Sequence, residues 1–197
     1  MLTALILTGR KPARLAAKKA GFRPIKVNAV SIRGVTDLDA VPLARYAREH
    51  GLEMRFIEYM PIGDAAWERG KVYFAHEILE QIEREVCPLV PADDYDPRAP
   101  AMEFQYTDGG GRVGIIASVS RPFCLSCNRV RLTADGKLRN CLFAIQEVDV
   151  KPLLREQPDD AQLAEMIRQN VRDKWEGHEI NTARFVKPHR TMHAIGG

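Results

Sequence analysis

The segment PFCLSCNRVRLTADGKLRNC, residues 122–141, carries three of the chain's four cysteines, Cys124, Cys127 and Cys141. Their C-x2-C-x13-C spacing sets a close pair on one tight loop and a third thiol one hairpin later. Thiols gathered this way bind zinc or an iron–sulfur group. A closed tetrahedral site needs a fourth ligand, and Cys87, His178, His189 and His193 are the candidates. None of the histidines stands at knuckle spacing from Cys141. The other reading is a three-cysteine [4Fe-4S] cluster with one iron left open to a nitrogen or oxygen of a substrate. Arg121, Arg129, Arg131, Lys137 and Arg139 surround the cysteines against the single acid Asp135. Such a run suits a solvated face as well as a binding one. On an expected strand, the two-residue step from Arg129 to Arg131 points both side chains to one face. Paired guanidiniums beside an open iron suit a phosphorylated ligand, since arginine grips phosphate with two N–H groups.

These residues need a scaffold. The stretch ARLAAKKAGF, residues 13–22, is Ala-rich and expected to be helical, with Gly21 as its stop. A β-branched strand is expected over 24–32, a helix over 37–52, a second strand over 53–62 and an amphipathic helix over 74–86. Strand, helix, strand with short links is a βαβ unit with parallel neighbours. Two parallel strands do not make a stable open sheet, so this α/β part reads as a piece of a larger barrel or as a chain that needs partners. Beyond it, MEFQYT and RVGIIASVS flank DGGG as a hairpin. Two more strands are expected around an Asp135-Gly136 turn, which brings Cys141 back to the cysteine pair. A last helix is expected over 159–174. The chain therefore divides into residues 1–90, α/β, and residues 91–197, α+β and bearing the cysteines.

Composition sets bounds. Lys and Arg total 29 against 26 Asp and Glu, an excess too small to argue for nucleic acid. No stretch approaches the roughly 20 apolar residues of a membrane span, and the basic residues near Met1 follow the apolar run where a leader would have them precede it. A cytoplasmic, reducing setting is expected, where clustered thiols favour metal over disulfides.

The segment FCLSCNRVRLTADGKLRNCLF resembles the C-terminal cluster motif of the GTP 3′,8-cyclases, radical S-adenosylmethionine enzymes of molybdenum cofactor biosynthesis. GFRPIKVNAVSIRGVTD, GLEMRFIEYMPIG, GIIASVSRPFC and the terminal IGG resemble the same family in the same order. The resemblance implies that Cys124, Cys127 and Cys141 hold a [4Fe-4S] cluster whose open iron meets the guanine of GTP, with Arg129 and Arg131 near the substrate. It implies that Lys26 and Arg55 reach the triphosphate, that Met60 flanks S-adenosylmethionine, and that Gly196-Gly197 form a tail entering the active site. The fold it implies is the last βα units of a TIM-like radical barrel over 1–90, then a cluster-binding region over 91–197. The reaction it implies converts GTP to (8S)-3′,8-cyclo-7,8-dihydroguanosine 5′-triphosphate, with cyclic pyranopterin monophosphate synthase acting downstream. The family's second [4Fe-4S] cluster, which cleaves S-adenosylmethionine, needs a C-x3-C-x2-C motif absent from these residues. The chain is therefore expected to be the C-terminal portion of a cyclase, inactive alone, completed by an N-terminal half or acting as a homodimer. The competing reading is a structural zinc or nucleic-acid-binding module built on the same cysteines. No role for Cys87 follows from either.

Overall fold

The structure is a computed structural model, and it describes residues 16–63, 67–94, 96, 98–175 and 177–195. The expectation for residues 13–22 falls partly outside this range. Residues 16–19 are helical, and Gly21 ends the turn with φ +84°. Gly196 and Gly197 lie outside the described residues. Among the described residues, no helix is long and apolar enough to cross a membrane.

The chain forms two compact units, Met1–Met60 with Glu68–Pro122, and Pro61–Trp67 with Phe123–Gly197. The first is α/β. Strand β1, Lys26–Ser31, leads through a short 3-10 turn to helix α1, Ala40–His50, and then to β2, Glu53–Glu58. Helix α2, Ala75–Glu85, follows, then β3, Leu89–Pro91, β4, Met102–Tyr106, and β5, Arg112–Ile116. The five strands form one mixed sheet in the order β1-β2-β5-β4-β3. β1 runs parallel to β2 with Lys26 opposite Glu53, and β2 parallel to β5 with Phe56 opposite Ile115.

The βαβ expectation holds, and a third parallel strand relieves the shortage of strands. The hairpin expected around DGGG forms. Its second arm is a strand only to Ile116, because residues 117–121 leave the sheet for a turn closed by the Arg121 amide on the Ala117 carbonyl at 3.0 Å. The same arm joins β2 in the first sheet, and the first unit runs to Pro122.

Period-two alternation decides the two faces. Met54, Phe56, Val113, Ile115 and Tyr106 point to the helices and build the core with Ala40, Ala44, Ala47, Ile78 and Ile82. Each fully buried Val, Ile, Met or Phe side chain here contributes about 1.5–3 kcal/mol relative to exposure. Lys26, Glu53, Arg55 and Glu103 occupy the opposite face and meet there as ion pairs.

One core-side position breaks the pattern. Glu58 is fully buried, and a buried carboxylate persists only when hydrogen-bonded. It accepts from the Ala75 amide at 2.9 Å, the Val119 and Ser120 amides at 2.7 Å each, and the Ser120 hydroxyl at 2.5 Å. It thus ties the end of β2 to the start of α2 and to the turn preceding the cysteine segment.

The second unit is built on a three-stranded antiparallel sheet, β6, Arg131–Leu132, β7, Lys137–Arg139, and β8, Val148–Asp149. Helices α3, Lys151–Arg155, and α4, Asp160–Arg172, follow. α4 starts with a capping box: Asp159 Oδ1 accepts from the Gln162 amide at 2.8 Å, and Gln162 Oε1 from the Asp159 amide at 3.1 Å.

Candidate functional site

The hairpin that returns Cys141 to the cysteine pair is fastened at its turn. Gly136 adopts φ +77°, and the Thr133 hydroxyl accepts from the Lys137 amide at 2.8 Å while donating to Asp135 at 2.6 Å. Arg190 reaches the same carboxylate at 2.8 Å and also bonds Glu147. Arg190 and Thr133 hold the Asp135 carboxyl far below the usual carboxylate range. Arg139, 2% exposed, pairs with Glu147 and donates to the carbonyl of Ala144 at 2.5 Å. An ionised side chain buried this deeply requires partners, and both terminal nitrogens have them, while Nε has none among the described residues. The network therefore fixes β7 two residues ahead of Cys141.

All four cysteines are free and half-buried. Each of the three thiols in the segment accepts a nitrogen donor. The backbone of His178 bonds Cys124, and the Phe143 amide bonds Cys141 Sγ at 3.4 Å. Cys127 Sγ receives Arg129 Nε at 3.4 Å and Lys174 Nζ at 3.5 Å. The thiols also sense one another. Burial pushes the Cys124 thiol up, and the proximity of Cys141 and Cys127 adds to that. Burial works in the same direction on Cys127, but the Arg129 backbone and guanidinium together with Lys174 outweigh it and hold that thiol below its ordinary value.

Among the described residues, no three His, Cys, Asp or Glu side chains are drawn together as a metal-holding group. The donor chemistry nonetheless fits a thiophilic group. The set is all sulfur, with N–H groups aimed at each sulfur, the outer shell that orients thiolate ligands and tunes a cluster.

Arg129 and Arg131 do not share one strand as expected. The strand begins at Arg131, because Arg129 turns its Nε onto Cys127 Sγ and lays its guanidinium over Phe123, 4.9 Å from the ring centroid. The two arginines still gather at the thiols. Burial pushes the Arg131 guanidinium down, and the nearby Arg129 and Arg139 charges push the same way, against Cys127 and Cys141.

Of the histidines considered as a fourth ligand, His178 is buried, packs on Phe143 at 4.6 Å between centroids, and accepts the Ile180 amide on Nδ1 at 3.3 Å. His193 Nε2 lies 3.0 Å from the Thr191 hydroxyl. Cys87 belongs to the first unit, where its Sγ stands 3.6 Å from the Thr107 hydroxyl.

In the first unit, Lys26 and Arg55 converge. Glu103 Oε1 accepts Arg55 Nη2 at 2.7 Å and Lys26 Nζ at 3.4 Å, and Lys26 also pairs with Glu53 at 3.2 Å. Burial works to raise the Glu103 carboxyl, but Arg55 and Lys26 together hold it below its ordinary value. Gly114 gives Arg55 its path: a Cβ there would stand 3.0 Å from Arg55 Cγ. Arg55 Nε is buried without a partner among the described residues. Met60 lies two residues past β2, half-buried.

Sequence reasoning singled out the cysteines, Arg129 and Arg131, and the resemblance singled out Lys26 and Arg55. Both missed Lys174, Glu103 and Glu58. The only trace of Lys174 in the sequence is a basic residue beyond a helix end, which commonly serves as a C-terminal charge.

A sheet-and-helix unit and a unit bearing three half-buried thiols that accept nitrogen donors define a mixed α/β protein. The chain belongs to the family described as Molybdenum Cofactor Synthesis C, which matches residues 52–180. That span includes Arg55, the three cysteines and Lys174. The chain is similar to the GTP 3′,8-cyclase of Rhodopirellula baltica, 43% identical over 185 residues, covering 92% of this chain and 52% of that protein. The GTP 3′,8-cyclase of Corynebacterium glutamicum (strain R) is 43% identical over 188 residues, with 92% and 50% covered. That of Mycolicibacterium smegmatis is 46% identical over 190 residues, with 92% and 52% covered. The chain spans about half the length of the curated relatives it matches.

Proposed function

We propose that this chain is the cluster-holding, GTP-binding part of a GTP 3′,8-cyclase of molybdenum cofactor biosynthesis. The observation that carries this reading is that all three sulfurs of the C-x2-C-x13-C segment accept nitrogen donors. Cys124, Cys127 and Cys141 would hold a [4Fe-4S] group, which when bound supplies an iron able to take a nitrogen or oxygen of the purine. Arg129 and Arg131 add positive charge beside it, suited to a nucleotide.

The first sheet supports a partial barrel. Its parallel strands β1, β2 and β5 carry helices toward one face, and Lys26 and Arg55 lie on the other. These two cations are the candidates for the triphosphate. A phosphate must compete with Glu103 for them, which favours polyanions over singly charged ligands. S-adenosylmethionine cleavage needs a further cysteine triplet beyond this chain's four cysteines, so this chain's share of the reaction is to bind and orient GTP.

The test is anaerobic reconstitution of the full chain with iron and sulfide, followed by metal and sulfide assay and electron paramagnetic resonance with and without GTP. We expect iron and sulfide in cluster proportion, lost on changing any of the three cysteines to serine, and a signal altered by GTP. One tetrahedral zinc without sulfide overturns the reading.

A further inference from the structure

We propose that Lys174 is a positioning residue of the sulfur site: its ammonium, anchored on the Arg129 carbonyl, donates to Cys127 Sγ and thereby orients that thiolate and sets the reduction potential of the group it holds. The inference rests on the cluster reading above and deepens it.

Lys174 stands two residues past α4, with its amide donating to the Val171 carbonyl at 3.1 Å. A lysine in this position ordinarily lies along the last helical carbonyls or extends into water. This one instead reaches 45 residues back in sequence, placing Nζ 2.8 Å from the Arg129 carbonyl and 3.5 Å from Cys127 Sγ. An ammonium carries three donors and no acceptor, so one group serves both partners. The contact does two things together. It pins the backbone at Arg129, whose own Nε caps the same sulfur at 3.4 Å, and it sets a full positive charge against that sulfur.

The three sulfurs are unequal as a result. Cys124 and Cys141 receive backbone donors, whereas Cys127 receives two cationic side chains. Reduction adds an electron to a thiolate-bound cluster, and hydrogen bonds and charge at the sulfurs set its potential. A cation held at Cys127 favours the reduced form.

The experiment compares the full chain, K174M and K174R after anaerobic reconstitution. It measures circular dichroism, iron and sulfide content, the cluster potential by redox titration, and the rate of iron loss to a chelator. We expect K174M to fold and load, with its reduction equilibrium shifted about tenfold toward the oxidised form, about 59 mV for a one-electron couple. Iron loss should be several-fold faster, and K174R should restore both. A folded K174M that loads no iron, with K174R loading normally, also supports the assignment. An unchanged potential and iron-loss rate in K174M overturns it, as does a K174R that behaves like K174M. If the unaltered chain holds zinc and no sulfide, the cluster reading fails by itself. The Lys174 contact is then judged by zinc release, which an unaltered rate in K174M would refute.

Discussion

Single side chains in this protein show how the surroundings of a polar group decide its worth. Tyr106 is 2% exposed, and its hydroxyl has no partner among the described residues. Burial pushes its phenol up to about 12, against the opposing charge of Arg48, whose guanidinium lies 4.2 Å from the ring centroid. The unfolded phenol ionises near 10. With the folded pKa raised, the stabilisation is complete below pH 10 and is lost as pH rises toward 12. Tyr106→Phe removes the stranded hydroxyl and keeps the ring under Arg48. It is expected to stabilise the chain by about 1 kcal/mol in denaturant melts at pH 7 and to flatten the decline between pH 10 and 12; a destabilised variant would refute the account. Glu58 is the counter-case, a carboxylate no more exposed than Tyr106 but fully supplied with donors. Nothing in FIEYMP marks that glutamate as buried, since its donors come from Ala75, Val119 and Ser120, far along the chain. The cysteines were legible because their chemistry depends on local spacing. Lys174 was not, because its meaning lies in a partner 45 residues away.

At the level of elements the same division holds. α1, α2, β1 and β2 follow from hydrophobic period, which any local window displays. The pairing of β5 with β2 does not, since a strand's neighbours are a long-range choice that no local window displays. For the same reason the residues expected to form one strand around Arg129 and Arg131 gave way to a side chain–sulfur contact. The short loop after β2 carries a stricter requirement. Gly63 has φ +71°, and a Cβ there would lie 2.6 Å from the Thr191 Cα. Side chains other than glycine's are strained at such φ, and the clash here is with backbone that has no rotamer to yield. Gly63→Ala is expected to cost about 2–4 kcal/mol in thermal or denaturant unfolding and to raise amide exchange over residues 190–195. Unaltered exchange there would show that Thr191 does not rest on the glycine.

For the whole molecule, the fold separates a helix-backed mixed sheet from a unit organised around thiols and ion pairs. Metal binding is coupled to local folding wherever ligands must be drawn together. Loading with iron and sulfide is therefore expected to slow amide exchange at least tenfold over residues 123–144 and 174–180, leaving β1 and β2 as they were. Exchange slowed evenly over both units, or in neither, would contradict this placement of the site. The unit boundaries carry one more consequence. The chain enters the thiol unit at Pro61, leaves it at Trp67 and returns at Phe123, so the unit is discontinuous along the gene. A fragment cut at 122 lacks the Gly63 surface on which Thr191 lies. A recombination event with a single crossover cannot transplant the thiol unit without residues 68–122. Residues 61–67 must travel with 123–197, which binds the inheritance of the cysteines to that of the loop following β2.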